Sequence, residues 1–296
     1  MEKGTKRRVA TVGTFDGLHR GHRRVIATLK ETARKRDLEP LVVSFDRHPL
    51  ETIAPERAPR LIQSPSERTN TLYNEGLQLL TISFTPQLAS MTAAEWLEAM
   101  HREQRVDAMV VGYDNTFGCD GTALSIADYR RIGHDIGVEI IEAPYEPRAA
   151  SSAIRRMLRE GLIEEAAELL GRPFSITGTV EPGKHLGASL GFPTANVKPD
   201  YRVQMPRRGV YEVEVLLPME SGGGVRKGVA NIGTQPTVAD DEPERLEVHI
   251  PGFDANLYGE RLTVRFMHRI RDERKFDSLE ELKAQIKEDI NFLTKN

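Results

Sequence analysis

The run VATVGTFDGLHRGHRRVIATL, Val9 to Leu29, constrains the fold of this chain more than any other stretch. A short apolar, β-prone segment (Val9 to Val12) meets Gly13, and a turn follows that holds Phe15, Asp16, Gly17, His19, Gly21 and His22. Val25, Ile26 and Leu29 then recur at helical spacing. A strand, a glycine-rich turn and a helix together can hold phosphate. Small residues let the backbone come close, and the helix N-terminus offers N–H groups and the positive end of a dipole. His19 and His22 are three residues apart, so an opening helical turn can aim both imidazoles to one side. Aimed at a bound phosphate, they would stabilise charge on a reacting phosphorus. Alone, HxxH reads more readily as a metal pair or a surface accident. A zinc site wants three or four ligands, and no further Cys or His cluster is visible.

Length and charge narrow the class. At 296 residues the chain has room for two domains. The net charge is −3, with 24 basic and 25 acidic residues through Arg172 and 17 and 19 after it. Neither half is a charged tail, which argues against nucleic acid or an anionic membrane as the main partner. A single cysteine, Cys119, excludes an internal disulfide and fits a reducing compartment. No apolar segment behind MEKGTKRR is long enough for a signal peptide or a membrane span. The expected location is cytoplasmic. The oligomeric state is left open, a homo-oligomer included.

Strands and helices alternate through the first half. LVVSF (Leu41 to Phe45), LLTISF (Leu79 to Phe84), AMVVG (Ala108 to Gly112) and VEII (Val138 to Ile141) read as buried strands. Ser66 to Leu80 reads as a helix running towards the second of these. Thr92 to Arg102 carries a capping box, Thr92 with Glu95, and Trp96, Leu97 and Met100 at core spacing. This pattern predicts a parallel, doubly wound sheet. DRHP (Asp46 to Pro49) and VGYDNTFG (Val111 to Gly118) fall at strand ends, where such sheets bind ligands. In ASSAIRRMLREGLIEEAAELLGRPF, Ser151 and Ser152 can cap a helix whose first turn holds Arg155. A guanidinium there is a plausible phosphate ligand through its bidentate fork. A solvated arginine behind an ordinary cap is the equal alternative.

After Arg172 the texture changes to short alternating runs: 174–180, 209–217, 225–232, 245–250 and 261–270. Pro182-Gly183, Ser221 to Gly224, and Leu257 to Gly259 separate them. Period-two strands at this spacing predict an antiparallel barrel or sandwich. A last helix begins at Ser278, with Glu281 at capping-box spacing and a stripe of Leu279, Leu282, Ile286, Ile290 and Leu293. In GASLGFPTANV (Gly187 to Val197), a Pro-Thr-Ala-Asn turn brings a hydroxyl and an amide oxygen together, hard donors that suit Mg²⁺. By itself PTAN is only a turn. In RLEVHI the alternation gives Glu247 a solvent-facing slot.

Taken together these motifs resemble known families. GTFDGLHRGH, VGYDNTFG and SSAIR resemble the nucleotidyltransferase superfamily, and in particular bacterial FAD synthetases. LGFPTAN, GVYEV, NIGTQPT, LEVHI, LYG and IRDERKF, in that order, resemble riboflavin kinase. The resemblance implies an α/β Rossmann-like nucleotidyltransferase domain over residues 1–171. A six-stranded antiparallel β-barrel kinase domain with a C-terminal helix would occupy 172–296. It implies ATP with Mg²⁺, and riboflavin, FMN and FAD as substrates and products. Carried over position by position, Glu247 is the base on the ribityl hydroxyl, and Thr194 and Asn196 contact Mg²⁺. Gly183 and Lys184 belong to a nucleotide flap, and Arg271 lies near the flavin. In the first domain His19, His22 and Arg155 stabilise the reacting phosphates. Gly13, Phe15, Asp16, Gly21 and Ser152 line the ATP site, and Asp114 and Asn115 face the flavin. The departures are Asn115 where an aromatic is usual, a shorter loop after Gly118, Ala150, Ala188 and Gly252. They leave a kinase with a weak or inactive adenylyltransferase domain as the alternative enzyme. A flavin- or nucleotide-binding regulator is the non-enzymatic alternative.

Overall fold

The structure is a computed structural model, and it describes residues 6–113, 116–147, 150–183, 187, 190–233 and 244–293. Packing divides the chain into two compact units. One is Met1–Pro59 with Pro65–Ala150, and the other is Arg60–Ser64 with Ser151–Asn296.

In chain order the first unit contains β1 (Arg8–Val12), α1 (Arg20–Arg36), β2 (Glu39–Phe45), α2 (Leu50–Ile53), α3 (Pro65–Asn74) and β3 (Gln78–Ile82). These are followed by α4 (Pro86–Ser90), α5 (Ala93–Gln104), β4 (Val106–Val111), α6 (Ile126–Ile136) and β5 (Glu139–Glu142). The five strands pair in parallel in the order β3-β2-β1-β4-β5. Helices cover both faces, so the central strands carry almost no polar residues. Val9 packs with Val25, Ile26 and Leu29 of α1 on one side. Ala10 and Val12 pack with Trp96, Leu97 and Met100 of α5 on the other. The expected capping box forms: Glu95 N–H donates to Thr92 Oγ1 and Thr92 N–H to Glu95 Oε2. From β1 the chain runs outward one way and from β4 the other. The crevice between their C-terminal ends is therefore the topological switch point where such sheets bind ligands.

The second unit holds α7 (Ser151–Glu160), α8 (Ile163–Leu170), β6 (Phe174–Glu181), β7 (Thr194–Pro199), β8 (Gly209–Leu216), β9 (Val225–Gly233), β10 (Arg245–His249), β11 (Arg261–Arg271) and α9 (Leu279–Phe292). Its six strands close an antiparallel barrel in the order β10-β7-β6-β11-β8-β9. Gly161, at φ +81°, separates α7 from α8. Both helices pack into the barrel's core cluster through Ile154, Leu158, Ile163 and Leu170, and Ile62 joins them. By packing, residues 151–170 thus go with the barrel.

Three local expectations are corrected. PTAN is not a turn, because Thr194 opens β7 and supplies the barrel's sixth strand. Ser151 and Ser152 lie inside α7 rather than before it. Only half of the last capping box forms: Ser278 Oγ accepts from Glu281 N–H, while the Glu281 carboxylate takes the Asp277 N–H. Of the apolar stripe on α9, Leu293 is buried and Leu282, Ile286 and Ile290 are half-buried. Leu279 stands 56% exposed.

Candidate active sites

The loop between β1 and α1 bends through three left-handed positions, Phe15 (φ 47°), Gly17 (φ 83°) and Leu18 (φ 47°). Only Gly17 adopts this freely. Two bulky residues held there mark a strained backbone, of the kind that clusters at functional sites. Packing keeps it in place, since Phe15 and Leu18 are each 2% exposed and belong to the core cluster under α1. His19 is the N-cap of α1: its Nδ1 accepts from the His22 N–H at 3.4 Å. With Nδ1 accepting, the proton of a neutral His19 ring sits on Nε2. The two imidazoles stack, centroids 3.7 Å apart and 17° from parallel, and the Phe15 ring leans on His22 at 5.2 Å. His22 Nδ1 is enclosed without a hydrogen-bond partner, although the residue as a whole is half-buried. Burial holds His22 well below the ordinary histidine range, and neighbouring His19 pushes the same way. The first turn of α1 contains no acidic residue.

Around this cap the expected residues divide. Gly13 gives room to the Phe15 ring, which would lie 3.4 Å from any Cβ placed there. Phe15 and Asp16 are buried, so at these positions the loop does not offer its side chains to solvent. Gly21 is half-buried in the first turn of α1. Asp114, Asn115 and Lys184 lie outside the described residues. Ser152 is exposed on α7, and Arg155 on the same helix is 9% exposed and donates from Nε to Arg60 O at 2.8 Å. Both belong to the second unit. One residue escapes sequence reasoning altogether. Arg68 on α3 is 4% exposed and donates to Thr14 O (2.8 Å) and Phe45 O (2.5 Å), tying the strained loop to the end of β2. Its only sequence signal is a charge on the buried side of a helix. Behind Val111, Phe117 packs between Trp96 and Tyr129, and Tyr129 Oη donates to Phe117 O while accepting its N–H. Gly118 is fixed as well, since a Cβ there would meet Ala93 N at 2.3 Å.

On the barrel, register assembles the second site. Asn196 of β7 lies opposite Glu247 of β10, which lies opposite Asn231 of β9. Opposed residues share a face. These three therefore stand on one side, while Leu246 and Val248 point to the buried interior. Thr194, two residues before Asn196, shares its face. Two glycines make room here. A Cβ at Gly183 would sit 2.0 Å from Asn196 Nδ2, and one at Gly187 would sit 3.3 Å from Thr194 Oγ1. Glu247 is half-buried, and burial raises its proton affinity above the usual glutamate value against a weaker pull from Arg245. Glu273 is raised too, first by burial and further by Glu247, with Arg208 and Arg271 opposing. Its Oε1 lies over Gly233, 2.1 Å from where a Cβ would be. Neither Asn231 nor Glu273 was singled out from sequence, though both sit in or beside the matched motifs. Arg271 is held in a fork: Nε and Nη2 donate to the two oxygens of buried Asp289 at 2.9 and 2.6 Å. Beside Thr194 a cleft of about 140 Å³ is lined by Pro193, Ile250, Phe253, Leu257 and Tyr258.

The Thr194–Asn196 cradle, with its hydroxyl and amide oxygen kept open by glycines, fits a hard cation that takes few protein donors.

Comparison with known proteins agrees with this geometry. The FAD synthetase family model matches residues 1–152, and the riboflavin kinase family model matches residues 170–296. The bifunctional riboflavin kinase/FMN adenylyltransferase of Escherichia coli K12 is 39% identical over 289 residues, covering 95% of this chain and 90% of the relative. The protein of the same description from Bacillus subtilis is 33% identical over 287 residues, with the same coverage. A crystal structure described as a macrolide-efflux protein from Streptococcus pneumoniae superposes with a TM-score of 0.86 at 32% identity. The match covers 97% of this chain and 94% of that one. Among the described residues no helix is long and apolar enough to cross a membrane. With an FAD synthetase module ahead of a riboflavin kinase module and relatives matched along nearly their whole length, the chain belongs to the bifunctional riboflavin kinase/FMN adenylyltransferase family.

Proposed function

We propose that the chain makes FAD in two steps. In the first, the barrel moves the γ-phosphoryl group of ATP to the terminal ribityl hydroxyl of riboflavin. Glu247 takes the hydroxyl proton as oxygen attacks phosphorus, and FMN and ADP result. Phosphoryl transfer relies mostly on position and charge, so the base need only be ionised and within reach. Thr194 and Asn196 would hold Mg²⁺, which supplies charge neutralisation on the phosphates when bound. The apolar cleft beside Thr194 suits the base of the nucleotide, and Arg271, oriented by Asp289, stands for the flavin side. The close approach at Gly183 supports its place in the nucleotide flap with Lys184.

In the second step a phosphate oxygen of FMN attacks the α-phosphorus of ATP in the first unit. The bond to the β-phosphate oxygen breaks, and FAD and pyrophosphate leave. The α1 N-terminus, the loop backbone at Gly13 to Gly21, and the two histidines receive the phosphates. His19, with Nδ1 taken by the cap, would donate to a phosphate from Nε2–H, and neutral His22 fixes the ring by stacking. Asp114 and Asn115 are proposed for the flavin. For residues 1–171 and 172–296 this assigns adenylyl transfer and kinase chemistry respectively.

The observation that carries the reading is Glu247 opposite Asn196, with Thr194 beside it on a glycine-cleared face. A strand glutamate partly buried there has a chemical use that a surface glutamate lacks. The test is chromatography of products from the purified protein with ATP, Mg²⁺ and either riboflavin or FMN. FAD is expected from both starting points. FMN accumulating without FAD from either would leave a kinase only, and no FMN from riboflavin would remove the role of Glu247.

A further inference from the structure

Two tyrosines of the first unit expose most of their surface and yet pair with each other. Tyr113 is 69% exposed and Tyr145 is 60% exposed, and their ring centroids lie 4.6 Å apart at 49°. Tyr113 stands two residues beyond the end of β4, and Tyr145 three beyond the end of β5. The register of β4 with β5 continues past the strands, since Ala143 N–H donates to Val111 O at 2.9 Å. Both rings therefore rise from the C-terminal edge of the sheet, on the β4 side of the switch-point crevice. The segment is also fastened to the opposite wall. Glu146, next to Tyr145, accepts from Arg24 Nε of α1 at 2.9 Å. Arg24 lies in the helical turn just after His22, so the aromatic pair is anchored beside the helix N-terminus that faces the phosphates.

From this geometry we infer that Tyr113 and Tyr145 form a stacking platform for the adenine ring of the ATP that donates its adenylyl group. The inference rests on the adenylyltransferase reading of the first unit. Exposed aromatic faces at a ligand edge are used for planar heterocycles, because every base has a π-face to offer. Two such rings enter this reaction, adenine and isoalloxazine. Tether length decides between them. The α-phosphorus of ATP must sit at the α1 cap, and only a ribose separates it from adenine. The five-carbon ribityl chain carries the isoalloxazine of FMN further away. A platform fastened through Glu146 to the second turn of α1 suits the short tether.

The experiment measures FAD formation from FMN by the full-length protein while ATP and FMN are varied in turn. The proteins are wild type, Tyr113→Ala, Tyr145→Ala and Tyr145→Phe. Each alanine variant is expected to raise KM for ATP on the order of 5- to 100-fold, the range for loss of one base–aromatic stack, with kcat nearly unchanged. Tyr145→Phe keeps the ring and stays near wild type. Riboflavin phosphorylation by the same preparations stays at the wild-type rate and shows that they are folded. A rise in KM for FMN instead of ATP would assign the platform to the flavin and overturn the inference. Unchanged KM values, or a phenylalanine variant as poor as alanine, would overturn it as well. Failure of the underlying reading looks different, because wild type itself would then make no FAD from FMN.

Discussion

Burial sets the behaviour expected of Glu247. Its carboxyl group holds its proton to a higher pH than an ordinary glutamate, so its basic form is lost earlier on acidification. Riboflavin phosphorylation should fall on the acid side at a higher pH than a solvent-exposed glutamate base would give, and a rate–pH profile reads this. The same shift has a consequence for stability. The folded state binds the proton more tightly than the unfolded chain, so the contribution of Glu247 is favourable below the unfolded value. It is lost as pH rises through the folded one. Glu247→Gln removes that loss. The variant should drop FMN formation by about 10²- to 10⁴-fold, the usual share of a general base, while melting no lower than wild type at neutral pH. FAD formation from supplied FMN should persist. A parallel loss of both activities would place Glu247 outside the kinase chemistry. Strand alternation read this residue as solvent-facing, and the face is right. What periodicity could not show is that Gly183 and the neighbouring strands partly enclose that face.

At the scale of elements, the β1–loop–α1 unit was legible almost completely. Its glycines, its histidine spacing and its apolar periods all concern neighbours in sequence. The stacking of His19 on His22 and the cap at His19 follow from the same three-residue spacing. Arg68 was not legible, because its partners Thr14 O, in the β1–α1 loop, and Phe45 O, at the end of β2, lie 54 and 23 residues away. PTAN looks like a turn for a related reason: a strand of six residues that opens at Thr194, directly after Pro193, shows no alternation until its partners β6 and β10 are known. The unit predicts the effect of His22→Ala. The variant loses the ring that Phe15 and His19 pack against, together with its electrostatic contribution near the phosphates. FAD output from FMN should fall about 10²- to 10³-fold, as for loss of one preorganised charge-stabilising group, with riboflavin phosphorylation unchanged. FAD production at the wild-type rate in a coupled-product assay would remove His22 from the site. Because folded His22 resists protonation, it also lowers stability as pH drops below the ordinary histidine range of about 6.5.

For the whole molecule the two-part organisation was legible from the change in texture near Arg172, and so was the order of the modules. The boundary of packing was not, because α7 and α8 have the composition of helices in an α/β domain. Only their contacts show that Ile154, Leu158, Ile163 and Leu170 complete the core around the barrel. Each of these four side chains is fully buried, and burying one contributes roughly 1.5–3 kcal/mol. Removing all four takes away an amount comparable with the ~5–15 kcal/mol that stabilises a typical domain. A fragment beginning at Arg172 should therefore fail to melt cooperatively, or melt well below a fragment beginning at Ser151. Circular dichroism of fragments 151–296 and 172–296 compares them directly. Kinase activity measured on both separates stability from chemistry, since every residue assigned to phosphoryl transfer lies beyond Arg172 in either piece. If the shorter fragment melts as high as the longer one, α7 and α8 are dispensable to the barrel. The unit division would then coincide with residue 171, where the change in strand pattern puts it.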